Sequence, residues 1–333
     1  MVVRATSVFF AAIGDFFRAW PRLLTTDVIY KLVAFVVLTP LVGGTLRLFL
    51  STSGSAVVAD EDILSFVLSP IGLITLVMIG AVTLAIVALE QACLMAIGFG
   101  ETRGHRVTVA GALWYGARHA WSVLVLTLRI FVRALLIALP FLIAGGVAYL
   151  VLLRQHDINY YLAERPPVFL FSAGIIAALF AVMAVLIIKR LISWSFALPS
   201  VLFEAMGPAE AMAASEERVR GHRWTIAFVL VAWGVVASIL SAVPLALTQW
   251  LGEWILPKFS NSMNGTVWVM GGLILVWVVV NLAVTLVNAS TLALLVIRLY
   301  ERLGVDAVAR LSGVDVSERP AVGARPRLST AMV

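Results

Sequence analysis

Six apolar runs decide what this chain can become. They cover residues 28–50, 64–99, 122–153, 168–203, 225–250 and 267–300, and each reaches the roughly 20 residues a helix needs to cross a bilayer. Hydrocarbon offers no water to the backbone, so each run must close its own hydrogen bonds as a helix. Composition agrees: hydrophobic residues make up 62% of the chain, charged residues 13%, and the mean hydropathy is +1.04. A soluble domain carries about 25% charged residues. The chain is therefore predicted to be all-α and polytopic, with six transmembrane helices. Several runs exceed what a bilayer requires, so they must tilt, kink at proline or project past the headgroups.

The single cysteine, Cys93, lies within a run, which leaves no disulfide framework and no cysteine metal site. The opening "MVVRATSVFFAAIGDFFRAW" is no secretory signal, because Asp15 interrupts the apolar stretch and no small-residue cleavage site follows. Phe9, Ile13, Phe16, Phe17 and Trp20 recur at helical spacing, with Arg4, Asp15, Arg18 and Arg22 between them. That pattern predicts an amphipathic helix lying in the membrane interface.

Lys and Arg set the orientation. Only Arg47, Arg154, Arg165 and Lys258 fall on one side. The opposite side carries the N-terminal segment, the loops near 100–121 and 204–224, and the C-terminal tail. Both termini are thus expected in the cytoplasm, with the chain multi-pass in a bacterial inner membrane. The net charge of +6 reads as a topology signal and a contact for anionic lipid headgroups, not as a nucleic-acid footprint.

An internal repeat of about 100 residues underlies the spans. "FRAWPRL" at 17–23, "RHAWSVL" at 118–124 and "GHRWTIA" at 221–227 each place a Trp where an odd-numbered span begins. Pro40, Pro140 and Pro244 follow those tryptophans by 20, 19 and 20 residues. "GETRG" at 100–104, "FEAMG" at 203–207 and "YERLG" at 300–304 close the even-numbered spans as x-Glu-x-x-Gly. Trp anchors the interface, Pro kinks or ends the span, and Gly permits a helix stop. Three parallel repeats follow, each an interfacial helix plus two spans. They make a membrane domain over 1–303, with copies at about 1–103, 104–206 and 207–303. The tail over 304–333 is polar, cytoplasmic and expected to be disordered. Glu101, Glu204 and Glu301 are acidic at helix ends, where the dipole disfavours them, so each either pairs with an Arg from the next interfacial helix or stays solvated.

Polar residues recur at one depth: Glu90 and Gln91 in the first copy, Ser193, Trp194 and Ser195 in the second, Asn288, Ser290 and Thr291 in the third. Arg129 and Arg133 lie at a similar depth and, four apart, share a helix face. Ionisable groups in a bilayer find partners or line water. Three arrangements satisfy that rule. Glu90 pairs with Arg129 or Arg133 and fastens two spans. Alternatively, Glu90, Gln91, Arg129, Arg133, Lys189, Arg190 and Asn288 form a pocket for a lipid phosphate or another ligand. In the third, the side chains snorkel without a specific partner.

No nucleotide-binding glycine loop, H-E-x-x-H zinc helix or G-x-S-x-G elbow is present. Gly43-Gly44, Gly145-Gly146 and Gly271-Gly272 are read as close helix-packing points. The connector "HDINYYLAERPP" gathers polar and aromatic groups in an outer loop. Tyr160 and Tyr161 suit an aromatic belt. Asp157 and Asn159 suit a turn or helix cap, and Pro166 and Pro167 end an extended connector. His156 and Asp157 are adjacent, which does not by itself make a base and its orienting group. Turn and anchor is the preferred role over contact with a partner, and catalysis comes last.

The same segment, "HDINYYLAERPPVF" at 156–169, resembles the connector between spans in the membrane region of bacterial membrane-bound glycerophosphodiester phosphodiesterases. His156, Asp157, Asn159, Tyr160, Tyr161, Pro166 and Pro167 carry that mark, and "ALPSVLFE" at 197–204 and the span pattern resemble the same family up to about Gly304. In that family a barrel domain follows the membrane region and hydrolyses glycerophosphodiesters. Its resemblance-implied catalytic pattern is a His-Arg-Gly-like turn, a Glu, an Asp, a second His and a divalent metal. Here "GHR" at 104–106 and 221–223 has another order, and no Pro-Glu-Asn-Thr-like segment occurs. The residues after Gly304 fall far short of the roughly 250 of a barrel. No catalytic residue, metal or cofactor is carried over, and this chain alone is expected to hydrolyse no glycerophosphodiester.

Three functions stay open. One is a non-catalytic membrane anchor that presents lipid or substrate in glycerophospholipid metabolism. Another is a transporter or lipid-handling channel through the polar belt, and the last is a scaffold for a partner enzyme. The absence of an obvious broken span favours the first over the second. The expected partners are membrane lipids, anionic headgroups among them, and a phosphodiesterase domain or another membrane protein.

Overall fold

A computed structural model describes residues 2–53, 66, 69–153, 158–259, 262–302 and 316–318. The helices are α1 (Val2–Ser53), α2 (Pro70–Thr102), α3 (Val109–Leu152), α4 (Ile158–Glu164), α5 (Pro167–Ser193), α6 (Ala197–Phe203), α7 (Pro208–Arg220), α8 (Arg223–Phe259) and α9 (Met263–Arg302). Six stretches are long and apolar enough to cross a membrane: Ser7–Leu50, Pro70–Thr102, Val109–Leu152, Pro167–Phe203, Arg223–Phe259 and Met263–Arg302. The fold is a helical, multispan membrane domain. Its flanks carry exposed Leu, Val, Ile and Phe side chains, such as Phe35, Leu136, Val185 and Ile239, as helices facing lipid require.

The interfacial helices differ from expectation in two of three cases. α1 runs unbroken for 52 residues, about 78 Å at 1.5 Å per residue, so the amphipathic N-terminal segment and the first span are one rod. α3 likewise joins its segment to the third span and continues through Pro140. Only α7 stands apart, separated from α8 at Gly221 and His222. The physical reason lies three residues before Trp20, Trp121 and Trp224, where the chain has Phe17, Arg118 and Gly221. Only the glycine favours a stop, and Arg218 and Arg220 in the last turn of α7 suit its C-terminal dipole. Proline removes one hydrogen bond and bends a helix, and neighbouring groups compensate within a span.

The fourth apolar run, expected to be continuous, breaks between α5 and α6 at Trp194–Phe196. Ser215 of α7 repairs the break: its hydroxyl donates to the Ser193 carbonyl at 2.8 Å and accepts from the Phe196 N–H at 3.1 Å. The connector before α5 contains a helical turn, α4, where an extended segment was expected. Pro166, extended at φ −62° and ψ 153°, and Pro167 at N1 then start α5.

The glycine stops are also redistributed. Gly104 takes φ 76° after α2, but after α6 the left-handed residue is Ala205, at φ 55°, while Gly207 is extended as the N-cap of α7. Gly304 lies outside the described residues. Of the predicted tail, Val316–Glu318 form a strand (β2) that pairs antiparallel with β1 (His105–Val107), in the register His105–Glu318.

The chain divides into two compact units. Unit 1 comprises Met1–Leu32, Leu89–His119 and Val231–Val333; unit 2 comprises Val33–Ala88 and Ala120–Leu230. The core of unit 1 is built from Ala12, Ala19 and Leu23 of α1, Cys93, Leu94, Ile97 and Phe99 of α2, Ala112 and Tyr115 of α3, and Leu294, Ile297 and Tyr300 of α9. In unit 2, Leu126 and Ile130 of α3 pack with Trp194, with Ala197, Leu198 and Val201 of α6, with Met206, and with Ala211 and Met212 of α7.

The paired glycines do not mark these contacts. A Cβ built at Gly43, Gly44, Gly145, Gly146, Gly271 or Gly272 would meet nothing within 4 Å, contrary to the packing role expected of them. Close approach occurs at other glycines, Gly116 and Gly98 of unit 1 among them. A Cβ at Gly116 would lie 2.3 Å from the Cys93 Sγ, and one at Gly98 2.8 Å from Leu294.

Candidate functional site

In unit 1, charged residues are held by specific partners. Asp15 of α1 is fully buried and accepts from the Arg298 Nε at 2.7 Å and Nη2 at 2.6 Å, with Arg18 at 3.5 Å. Arg22 donates to Glu101 and, at 3.1 Å, to the Val107 carbonyl. Glu301 accepts from the Thr102 hydroxyl at 2.7 Å and lies 3.8 Å from Arg103. In unit 2, Arg218 binds Glu204 through both nitrogens at 2.6 and 2.7 Å. Glu101, Glu204 and Glu301 thus each have an arginine. Glu204 takes it from the helix that follows, α7, and Glu101 takes it from α1.

One turn to a few turns deeper, unit 1 gathers a second polar group. The Asp27 Oδ1 accepts from Lys31 Nζ at 2.5 Å, and Glu90 of α2 is a near neighbour of Asp27 and Lys31 of α1. Gln91 donates from Nε2 to the Ala289 carbonyl at 3.2 Å. Tyr30 and Cys93 contact each other at 3.3 Å. Asn288 turns away to α8, donating to the Ala237 carbonyl at 3.4 Å and the Ser241 hydroxyl at 3.2 Å. Trp233 of α8 donates to Thr291 at 3.2 Å.

Unit 2 holds the four cations of the predicted pocket. Arg129 and Arg133 lie on α3, Lys189 and Arg190 near the end of α5, and all four are exposed. The Arg133 guanidinium sits 5.8 Å above the Trp194 ring, within the range of a cation–π contact. The Trp194 indole donates to Glu216 at 2.8 Å, and Arg190 approaches the same carboxylate at 3.8 Å. Trp194 therefore links Arg133 and Arg190 through Glu216. The seven predicted pocket residues fall into two sets: Glu90, Gln91 and Asn288 belong to unit 1, and the cations belong to unit 2. Among the described residues, Glu90 makes no ion pair with an arginine.

In the outer connector, Tyr161 is buried and stacks on Phe169 at 5.6 Å between centroids, and Tyr160 meets Tyr161 edge-on at 5.7 Å. Arg165 adopts φ 45° after α4, ahead of Pro166 and Pro167. His156 and Asp157 lie outside the described residues, and of Asn159 only its helical backbone is described. Among the described residues, no three His, Cys, Asp or Glu side chains come together as a metal-holding group.

Sequence reasoning missed Asp27 and Lys31. They sit at the margin of a run counted from residue 28, and their i, i+4 spacing was the available signal. It also missed Ser215 and Glu216, which complete the broken fourth span from a neighbouring helix.

Six apolar helices, charges paired at their ends and polar groups within them define a polytopic α-helical membrane domain. Over residues 9–324 the chain matches the membrane domain of glycerophosphoryl diester phosphodiesterase, and it belongs to that family. The match continues past Gly304, where the resemblance of the connector and spans was expected to end. Neither a curated protein nor a solved structure matches the chain.

Proposed function

We propose that this chain is a membrane anchor that also seats an anionic phospholipid headgroup, presenting lipid or lipid-derived substrate in glycerophospholipid metabolism. The observation that carries the reading is the cation set of unit 2. Arg129, Arg133, Lys189 and Arg190 are exposed, and among the described residues only Arg190 has an ion-pair partner, at a loose 3.8 Å. Long basic side chains within a span snorkel toward the headgroups, where each attracts anionic lipid by about 1 kcal/mol, and Arg offers a phosphate two parallel donors. A partner phosphodiesterase domain fits the family.

On this reading both termini are cytoplasmic in a bacterial inner membrane, and the spans form three copies of one two-span unit. Two contacts support the copies. Gln91 meets Ala289 and Thr102 meets Glu301, offsets of 198 and 199 residues, so α2 and α9 meet in parallel and in matching register.

Charge reversal, Arg133→Glu with Arg190→Glu, is the test. Lipid extracted from purified protein should lose its phosphatidylglycerol and cardiolipin while the protein still inserts. Unchanged anionic lipid content sinks the proposal.

A further inference from the structure

The Asp27 and Glu90 pair has one negative charge too many for its surroundings. Asp27 is fully buried and Glu90 is 8% exposed. Lys31 supplies one positive charge against two carboxylates. Asp27 Oδ2, Glu90 Oε1 and Gln91 Oε1 are buried without a hydrogen-bond partner, and so are the hydroxyls of Thr26, beside Asp27, and Ser290, beside the carbonyl that Gln91 reaches. Carboxylate and amide oxygens only accept, so what they lack is a donor or a cation. Buried oxygens left in that state are costly, most of all in a low-dielectric span.

We propose that unit 1 holds a buried site for one unit of positive charge, taken up between Asp27 and Glu90 as a proton or as a small monovalent cation. The net charge of the cluster favours a single charge, since a divalent ion beside the Lys31 ammonium would leave an excess of one. The other titratable groups facing the pair are Tyr30 on α1 and Cys93 on α2, both neutral in their ordinary forms.

The test uses the full chain in lipid nanodiscs, with unfolding followed by Trp fluorescence. One arm titrates Na+ against choline at constant ionic strength and fixed pH. The other varies pH in choline alone. The wild type should be stabilised by Na+, or by protons, in a saturable way that follows mass action. Asp27→Asn and Glu90→Gln keep the side-chain volumes and should each weaken that dependence by about tenfold or more, the loss of one charged contact. Dependence on Na+ identifies an ion, dependence on pH alone a proton, and either supports the site. A wild type indifferent to both, or variants with an unchanged dependence, overturns it. Should one variant fail to fold, the other decides.

Discussion

The contact between Asp15 and Arg298 joins α1 to α9, and its strength can be worked out from what each partner keeps when the other is lost. Asp15 is fully buried, whereas the Arg298 side chain is 25% exposed. Arg298→Ala leaves a carboxylate with no solvent and only Arg18, whose side chain is 56% exposed, at 3.5 Å. Removing one partner of a buried pair costs about 3–5 kcal/mol. Asp15→Ala leaves a guanidinium that can rehydrate, so its cost falls to about 1.5–3 kcal/mol, the worth of hydrogen bonds to a charged group. The expected order is Arg298→Ala worse than Asp15→Ala, with Arg18→Ala within about 0.5 kcal/mol of wild type, as for an exposed pair. Reversible unfolding by steric trapping in bicelles gives each free energy. A double-mutant cycle on Asp15 and Arg298 then isolates a coupling of about 1–3 kcal/mol. A coupling near zero, or an inverted order of the single variants, would falsify the account of burial on which this rests.

Further substitutions probe the backbone. Gly116→Ala places a Cβ 2.3 Å from the buried Cys93 Sγ, so it should destabilise by about 1–3 kcal/mol as overpacking does. Adding Cys93→Ala should recover most of that, because the Cys93 Cβ lies at an ordinary 4.0 Å; the same unfolding measurement, showing no recovery, rejects the contact. Ala205→Gly should stabilise by up to about 1 kcal/mol, because relief of the left-handed conformation outweighs the added freedom of the unfolded chain. Gly104→Ala should cost about as much, and a destabilised Ala205→Gly would contradict the backbone geometry.

What was legible in the sequence is what hydrophobicity alone dictates. Six spans follow from run length, because a polar backbone has no other way through hydrocarbon. The glutamates at 101, 204 and 301 were legible as residues in need of a cation. Less legible was continuity. A Trp and a Pro at the mouth of a span look like a boundary, yet α1 runs through Trp20 and Pro21, where no glycine favours a left-handed stop, and on through Pro40 and Gly43-Gly44. The break at Trp194–Phe196 was hidden for the opposite reason. The local sequence is apolar enough to continue, and the groups that make a break affordable, Ser215 and Glu216, lie two helices away in the chain. Likewise, nothing in "FEAMG" says that Ala205 rather than Gly207 turns left-handed; that follows from where α7 must start.

Partner choice inside the membrane was harder still, and Glu90 shows why. Depth can be counted along a run, so Glu90, Arg129 and Arg133 could be set at one level, and opposite charges at one level invite pairing. Depth says nothing of azimuth. α2 is apolar nearly all round, so its sequence has no polar stripe to announce which neighbour a given residue faces. Azimuth is fixed by the register of packed side chains, here the close approach of Gly116 to Cys93 and the meeting of Tyr30 with Cys93. One turn along α2 from Cys93 is Glu90, and three residues before Tyr30 on α1 is Asp27, so the same register that seats the cysteine brings the two carboxylates together. Like charges in contact are the last arrangement that a pairing argument from sequence would choose. Inside a span such a pair persists only with compensation. Lys31 supplies one part of it, and the proposed proton or monovalent ion supplies the rest.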